Sequence, residues 1–491
     1  VTLRDLSVVT ESRELIDRVL TGLFVGGEFT AAAGGHTLVV EDPSNRAPLA
    51  EVADANAGDS LNALTAAHEA MSEWAETAPR TRSELLRAAY DRVQALRRQF
   101  ALLISLEMGK TLADAEAEVS YAAEFLRWYS EEAVRINGRT GQAPGGGGQM
   151  LVTKRPVGPC LLITPWNFPL AMVTRKVAPA LAAGCTVVVK PSELTPLTAL
   201  LFADTLRDVG VPTGVVNVVN TTSAGEVVGA LMGDGRLRKI SFTGSTAVGS
   251  HLLQQAAPGV LRTSMELGGN APFIVLEDAD VTAAVEGALV AKIRNGGQSC
   301  VGANRFLVHE SLAEEFASGL ASRFGDLRVG PGQSPGVGLG PLINSDAVDR
   351  VEGLVEAARA QGANVLCGGQ RGADEGHFYL PTVLTDVPSN TDVVQSEIFG
   401  PVAPIVTISD DDHAVSEANS TPFGLVAYVY SQDLRRALSL GNRIETGMFG
   451  VNRGLVSDAA APFGGAKASG LGREGGPEGL AEYLETHYAL V

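Results

Sequence analysis

The sequence is short of cysteine, of aromatic residues and of positive charge. Its four cysteines, Cys160, Cys185, Cys300 and Cys367, include no close-spaced pair. That spacing argues against a zinc knuckle and a disulfide framework, so no metal site is expected. A reducing compartment, the cytoplasm, fits best. Basic residues number 38 against 56 acidic ones, for a net charge of −18. A chain of this sign lacks the basic face that nucleic acid requires, and it is not expected to dock on an anionic membrane. No uninterrupted apolar run reaches transmembrane length, and Val1-Thr2-Leu3-Arg4-Asp5 does not read as a secretory signal. An anionic substrate would need a local basic pocket set against this field, which makes positioned arginines worth finding.

With 491 residues, 45% of them hydrophobic, the chain has enough apolar material for two or three cores. Residues 59–137 carry helical periodicity, with Asp114 and Glu118 giving one helix a solvated side. Gly138 to Gly148 reads as a loop and Met150 to Thr153 as a strand, an excursion suited to an oligomerisation arm. From Pro159, short buried strands alternate with helical stretches at 172–183 and 196–209. This is βαβ organisation, hence a parallel sheet that binds ligands at the carboxyl ends of its strands. A second α/β block runs from about Ala271 to about residue 445, and the tail from Leu480 reads as a short helix followed by an extended end.

Two segments carry covalent chemistry. Arg294-Asn295-Gly296-Gly297-Gln298-Ser299-Cys300 sets a cysteine in an accessible small-residue turn, and Met265-Glu266-Leu267-Gly268-Gly269 sets a carboxylate before two glycines. A cysteine attacks carbonyls as its thiolate, so a nearby base is its natural partner. A lone cysteine is more often a small buried hydrophobe, and Cys160 and Cys185 read that way. Thr164-Pro165-Trp166-Asn167-Phe168-Pro169 closes the first strand of the βαβ region. Asn167 there either donates to a developing oxyanion or makes an Asx turn. Lys190-Pro191-Ser192-Glu193 closes the next strand, as a clasp for an adenosine ribose or as a surface ion pair. A glutamate clasp would repel a 2′-phosphate and favour NAD over NADP. Gly244-Ser245 opens a helix and suits a pyrophosphate, although the run to Gly249 is not G-x-G-x-x-G. Glu397-Ile398-Phe399 before Gly400-Pro401 is either a nicotinamide contact or a capped turn.

In this order the motifs resemble the aldehyde dehydrogenase superfamily from about residue 20 to the end, and in particular its succinate-semialdehyde dehydrogenase branch. The resemblance implies an α/β aldehyde dehydrogenase-like fold. Its cofactor-binding domain would be residues 1–133 and 153–264, with a catalytic domain at 265–445. Residues 446–475 would return across the site, and 134–152 with 476–491 would form an arm that builds homodimers or homotetramers. It implies that Cys300 attacks the aldehyde, that Asn167 stabilises the oxyanion, and that hydride transfer to NAD or NADP leaves a thioester hydrolysed by Glu266-activated water. Thr164, Pro165, Trp166, Lys190, Ser192, Glu193, Gly244, Ser245, Leu267, Glu397 and Phe399 would line the cofactor cleft. The branch signatures are Met172-Val173-Thr174-Arg175-Lys176, Lys292-Ile293-Arg294-Asn295, Gly454-Leu455-Val456-Ser457 and Ala461-Pro462-Phe463-Gly464-Gly465. They imply that Arg175, Arg294 and Ser457 grip the far carboxylate of a small semialdehyde. The implied activity is oxidation of succinate semialdehyde to succinate; glutarate semialdehyde or a general aliphatic aldehyde are the alternatives. Cys300-Val301-Gly302 departs from the Cys-x-Cys of many branch members, so a local disulfide switch is not expected. Arg453 is a second departure, one that could admit longer or more acidic substrates.

Overall fold

A computed structural model describes residues 3–491; Val1 and Thr2, assigned above to the cofactor-binding domain, lie outside the described residues. The βαβ alternation builds an eight-stranded sheet. At its centre, Cys160–Ile163 lies between Val187–Lys190 and Lys239–Thr243, all parallel. Val216–Val218 extends the sheet on one side and Arg262–Glu266 on the other. Chain order therefore reverses between Cys160–Ile163 and Lys239–Thr243. In an open parallel sheet, that switch point opens a crevice at the carboxyl ends of the strands. Leu23–Val25 and Glu28–Thr30, which precede the helical stretch read at 59–137, add an antiparallel edge.

Five residues after Glu266 the chain enters a second, seven-stranded sheet through Ala271–Val275. Its neighbour Ala303–His309 follows the helix Val281–Ile293 and the cysteine turn. Glu266 thus ends a strand of one sheet, and Cys300 lies just before a strand of the other. The returning segment touches both sheets: Met448–Val451 pairs in the second, and Gly470–Leu471 pairs with Arg262–Glu266 in the first. A three-stranded sheet joins Arg139–Gln142, Gln149–Pro156 and the C-terminal Leu484–Leu490.

Two sequence expectations are overturned: Arg139–Gln142, read as part of a loop, is a strand paired with Gln149–Pro156, and a helix charge read as solvated is buried. Glu118 does not face solvent. It is fully buried on the helix Leu112–Glu132, where it pairs with Lys110 and accepts the N–H groups of Leu170 and Ala171 at 2.9 and 3.2 Å. A buried carboxylate needs such partners, and here it satisfies otherwise unpaired donors at the start of the helix Ala171–Ala183. No helix among the described residues is long and apolar enough to cross a membrane.

Candidate active site

The cysteine turn owes its path to left-handed backbone. Asn295, Gly296 and Gly297 have φ of 60°, 66° and 73°. Glycine is required at 297, where a Cβ would lie 2.3 Å from the Gly400 carbonyl oxygen. The turn directs the Gln298 carbonyl at two amides, Asn295 Nδ2 at 2.8 Å and Asn167 Nδ2 at 3.0 Å. The Asn167 carbonyl is itself held by Lys110 Nζ at 2.8 Å and Asn295 Nδ2 at 3.0 Å. An amide nitrogen carries two hydrogens, so Asn167 keeps one for another acceptor. Asn167, Cys300 and Glu266 line one cavity of about 220 Å³.

Electrostatics separates the buried acids. Neither carboxyl oxygen of Glu266 has a hydrogen-bond partner. Burial, and then the charge of Glu474, hold its pKa well above the ordinary carboxylate range. Burial also pushes the Cys300 thiol up to about 12, against the pull of Arg175. Burial therefore disfavours the charged form of both thiol and carboxyl. Glu474 is buried too, but Lys176 and Arg175 outweigh its desolvation and keep it ionised. Lys176 Nζ and Arg175 Nε each contact one of its oxygens. The motifs did not identify Glu474; the available signal was a lone carboxylate in the glycine-rich run Gly470 to Gly476.

The cofactor candidates gather at the switch point. Pro165, Trp166, Gly244, Ser245, Leu267, Glu397 and Phe399 line the Cys300 cavity. Ser245 caps the helix Thr246–Ala256 by accepting from Val248 N–H. The close approach of Gly249 to Leu267 leaves no room for a Cβ, which would sit 2.4 Å from Leu267 Cδ2. Thr164 and Thr243 carry buried hydroxyls without partners at two adjoining strand ends. Lys190, Ser192 and Glu193 lie at the next strand end, with Lys190 Nζ 3.2 Å from the half-exposed Glu193 carboxylate. Phe399, at φ 54°, meets Trp166 edge-on with ring centroids 5.5 Å apart. The Glu397 carboxylate accepts the Gly269 N–H at 3.2 Å, and burial pushes its pKa up to about 7. Glycine-lined space, partnerless hydroxyls and a clasp at the strand ends together fit a nicotinamide dinucleotide.

The three carboxylate-grip candidates are not equally placed. Arg175 is fully buried and stacks on Phe463, 3.9 Å from guanidinium carbon to ring centre. Its Nε is committed to Glu474, while its buried Nη2 has no partner. Arg294 lies over the Phe168 ring at 4.9 Å. None of the three is among the residues lining the Cys300 cavity; Ser457 lines a second one with Tyr121 and Trp128.

Comparison with known proteins decides the family. The profile of the aldehyde dehydrogenase family matches residues 29–489. This chain belongs to the aldehyde dehydrogenase family. It is 56% identical over 440 residues to a succinate-semialdehyde dehydrogenase of Paenarthrobacter nicotinovorans, covering 90% of this chain and 98% of that one. It is 43% identical over 468 residues to a glutarate-semialdehyde dehydrogenase of Pseudomonas putida, covering 95% and 97%. The crystal structure of an NADP-dependent enzyme of Escherichia coli superposes with a TM-score of 0.95 at 44% identity, covering 96% and 98%. The protein is thus an aldehyde dehydrogenase with the fold of its family, and its activity uses a nicotinamide cofactor and a small aldehyde.

Proposed function

We propose that the protein oxidises succinate semialdehyde to succinate. The observation that carries this reading is Arg175, a buried guanidinium, within electrostatic reach of Cys300 and Glu266, whose Nη2 lacks a partner. A buried donor of that charge calls for an anionic acceptor. Arg294, held over Phe168 next to Asn167, supplies the second charge, and Ser457 adds a hydroxyl from the adjoining cavity. The 56% identity to a succinate-semialdehyde dehydrogenase supports the same substrate. The glutarate-semialdehyde relative supports a second reading, in which the same grip takes an aldehyde one carbon longer.

In this reading the Cys300 sulfur attacks the aldehyde carbon, and the thiol proton leaves to a base. The free Asn167 amide hydrogen and the Cys300 backbone N–H receive the oxyanion. When bound, a nicotinamide dinucleotide supplies the hydride acceptor; Glu397 and Phe399 would hold its nicotinamide side, and Lys190 and Glu193 its adenosine ribose. Collapse of the oxyanion leaves a thioester on Cys300. Glu266, once deprotonated, takes a proton from the water that hydrolyses it. Glu193 would repel a 2′-phosphate, so we infer a preference for NAD. Tyr488 and Leu490 are exposed on the C-terminal strand of the three-stranded sheet, which suits a partner copy in a homodimer or homotetramer. Four free cysteines suit the cytoplasm.

The test is the initial rate of nicotinamide reduction with succinate semialdehyde and with butanal, using NAD and NADP separately. A strong preference for the semialdehyde with NAD is expected. Equal kcat/KM on butanal would overturn the carboxylate grip, and preference for NADP would overturn the role of Glu193.

A further inference from the structure

The second cavity, about 400 Å³, holds unsatisfied donors that the reaction described above does not use. Tyr121 and Trp128 line it from the helix Leu112–Glu132, which packs against the helix Ala171–Ala183 that carries Arg175. The Tyr121 hydroxyl and the Trp128 Nε1 are both buried and without hydrogen-bond partners. An indole N–H can only donate, so no rotation converts it into an acceptor for its neighbours. The charges around the cavity do not supply the acceptor either. Arg127 is flanked by Glu124 and Glu131, each at 3.7 Å, and those carboxylates face Arg127. The Tyr121 hydroxyl lies within electrostatic reach of the Arg175 guanidinium, whose own Nη2 is unpartnered. Ser457, already a candidate for the substrate carboxylate, lines the same wall. The Tyr121 ring is fixed by an edge-on contact with Phe125, at 4.9 Å between centroids, so its hydroxyl is held without a hydrogen-bond tether.

We propose that Tyr121 is a specificity-determining residue whose hydroxyl donates, together with Arg175 Nη2, to the far carboxylate of the aldehyde substrate. Trp128 Nε1 is a second unpartnered donor on a residue lining the same cavity. The inference rests on the carboxylate reading of the site given above. A carboxylate offers several lone pairs and can accept from the guanidinium and the phenol at once. An aldehyde without that group leaves the buried donors unpaired, and a site built to hydrogen-bond its ligand rejects such an analogue strongly. Neutral donors also suit this wall, because they add affinity for an anion without requiring a further buried cation.

The test is Tyr121→Phe, which removes the hydroxyl and keeps the ring packed on Phe125. The readouts are the ratio of kcat/KM for succinate semialdehyde to that for butanal, and the inhibition constant of succinate. The ratio should fall about tenfold or more, through KM rather than kcat, and the succinate constant should rise by a similar factor, as expected for a hydrogen bond to a charged group. An unchanged ratio and inhibition constant, in an enzyme whose wild type prefers the semialdehyde, would overturn the role of Tyr121 alone. A wild type with no preference would overturn the carboxylate reading, and the inference with it.

Discussion

Two fully buried glutamates near the end of the first sheet show how environment divides labour between identical side chains. Glu474 sits in the returning segment with Lys176 and Arg175 on its two oxygens. Glu266 ends its strand with neither oxygen bonded. The cations keep Glu474 ionised, whereas burial and the charge of Glu474 hold the Glu266 pKa well above the ordinary carboxylate range. A carboxylate saturated by cations is poorly suited to take a proton. One with free oxygens and a raised pKa can exchange a proton near neutral pH. The pair therefore separates a positioning carboxylate, which orients Arg175, from a candidate base.

The sharpest test of the chemical side removes the nucleophile. Cys300→Ala should lower kcat on the order of 10⁵-fold, as losing the central member of a catalytic unit does. Cys160→Ala, at a thiol buried among apolar strands, is the contrast to run beside it in the same rate assay. Removing the oxyanion donor comes next. Asn167→Ala should lower kcat about 10²–10³-fold in steady-state kinetics. Its loss also removes one of the two amides on the Gln298 carbonyl, so Asn167→Asp, which keeps the side-chain shape, is run beside it.

Glu474→Gln tests the other half of the comparison. Arg175 and Lys176 would lose their counter-charge in a buried setting, which should lower unfolding stability by about 3–5 kcal/mol in urea titration. The same change removes a negative charge that raises the Glu266 pKa. Glu266 should then deprotonate at lower pH, and the acid limb of the pH–rate profile should move downward. An upward or absent shift would contradict the coupling. The smallest expected effect concerns Glu397. With a pKa of about 7, it is ionised only above that value, where it can accept from ribose hydroxyls. The KM for NAD should therefore rise severalfold as pH falls through about 7, measured at saturating aldehyde.

The sequence and the structure agree where chemistry is local. The strand–helix alternation after Pro159 and the small-residue turn before Cys300 follow from short stretches of chain; the strand that ends at Glu266 is not legible in them. What escaped the sequence depends on partners far apart along it. Glu474 lies 299 residues from Arg175, and only the fold shows that the guanidinium is half committed before any substrate arrives. Glu118 reads as a solvated helix charge until Lys110 and two helix N–H groups enclose it. Ser457 lines a second cavity with Tyr121 and Trp128, residues more than 300 positions away in the chain. Tyr121 carried no motif at all; its significance lies in a missing hydrogen bond, which only coordinates reveal.

The account turns on Glu266 as the base, and the most direct measurement is the hydrolysis rate of a thioester formed on Cys300, followed across pH in wild type and Glu266→Gln. The wild-type rate should rise with pH through one ionisation above the usual carboxylate range. The variant should be about 10²–10⁴-fold slower and lack that ionisation, so the acyl-enzyme accumulates and is seen by mass spectrometry. The same pH profile in both proteins would contradict the assignment of Glu266 as the base.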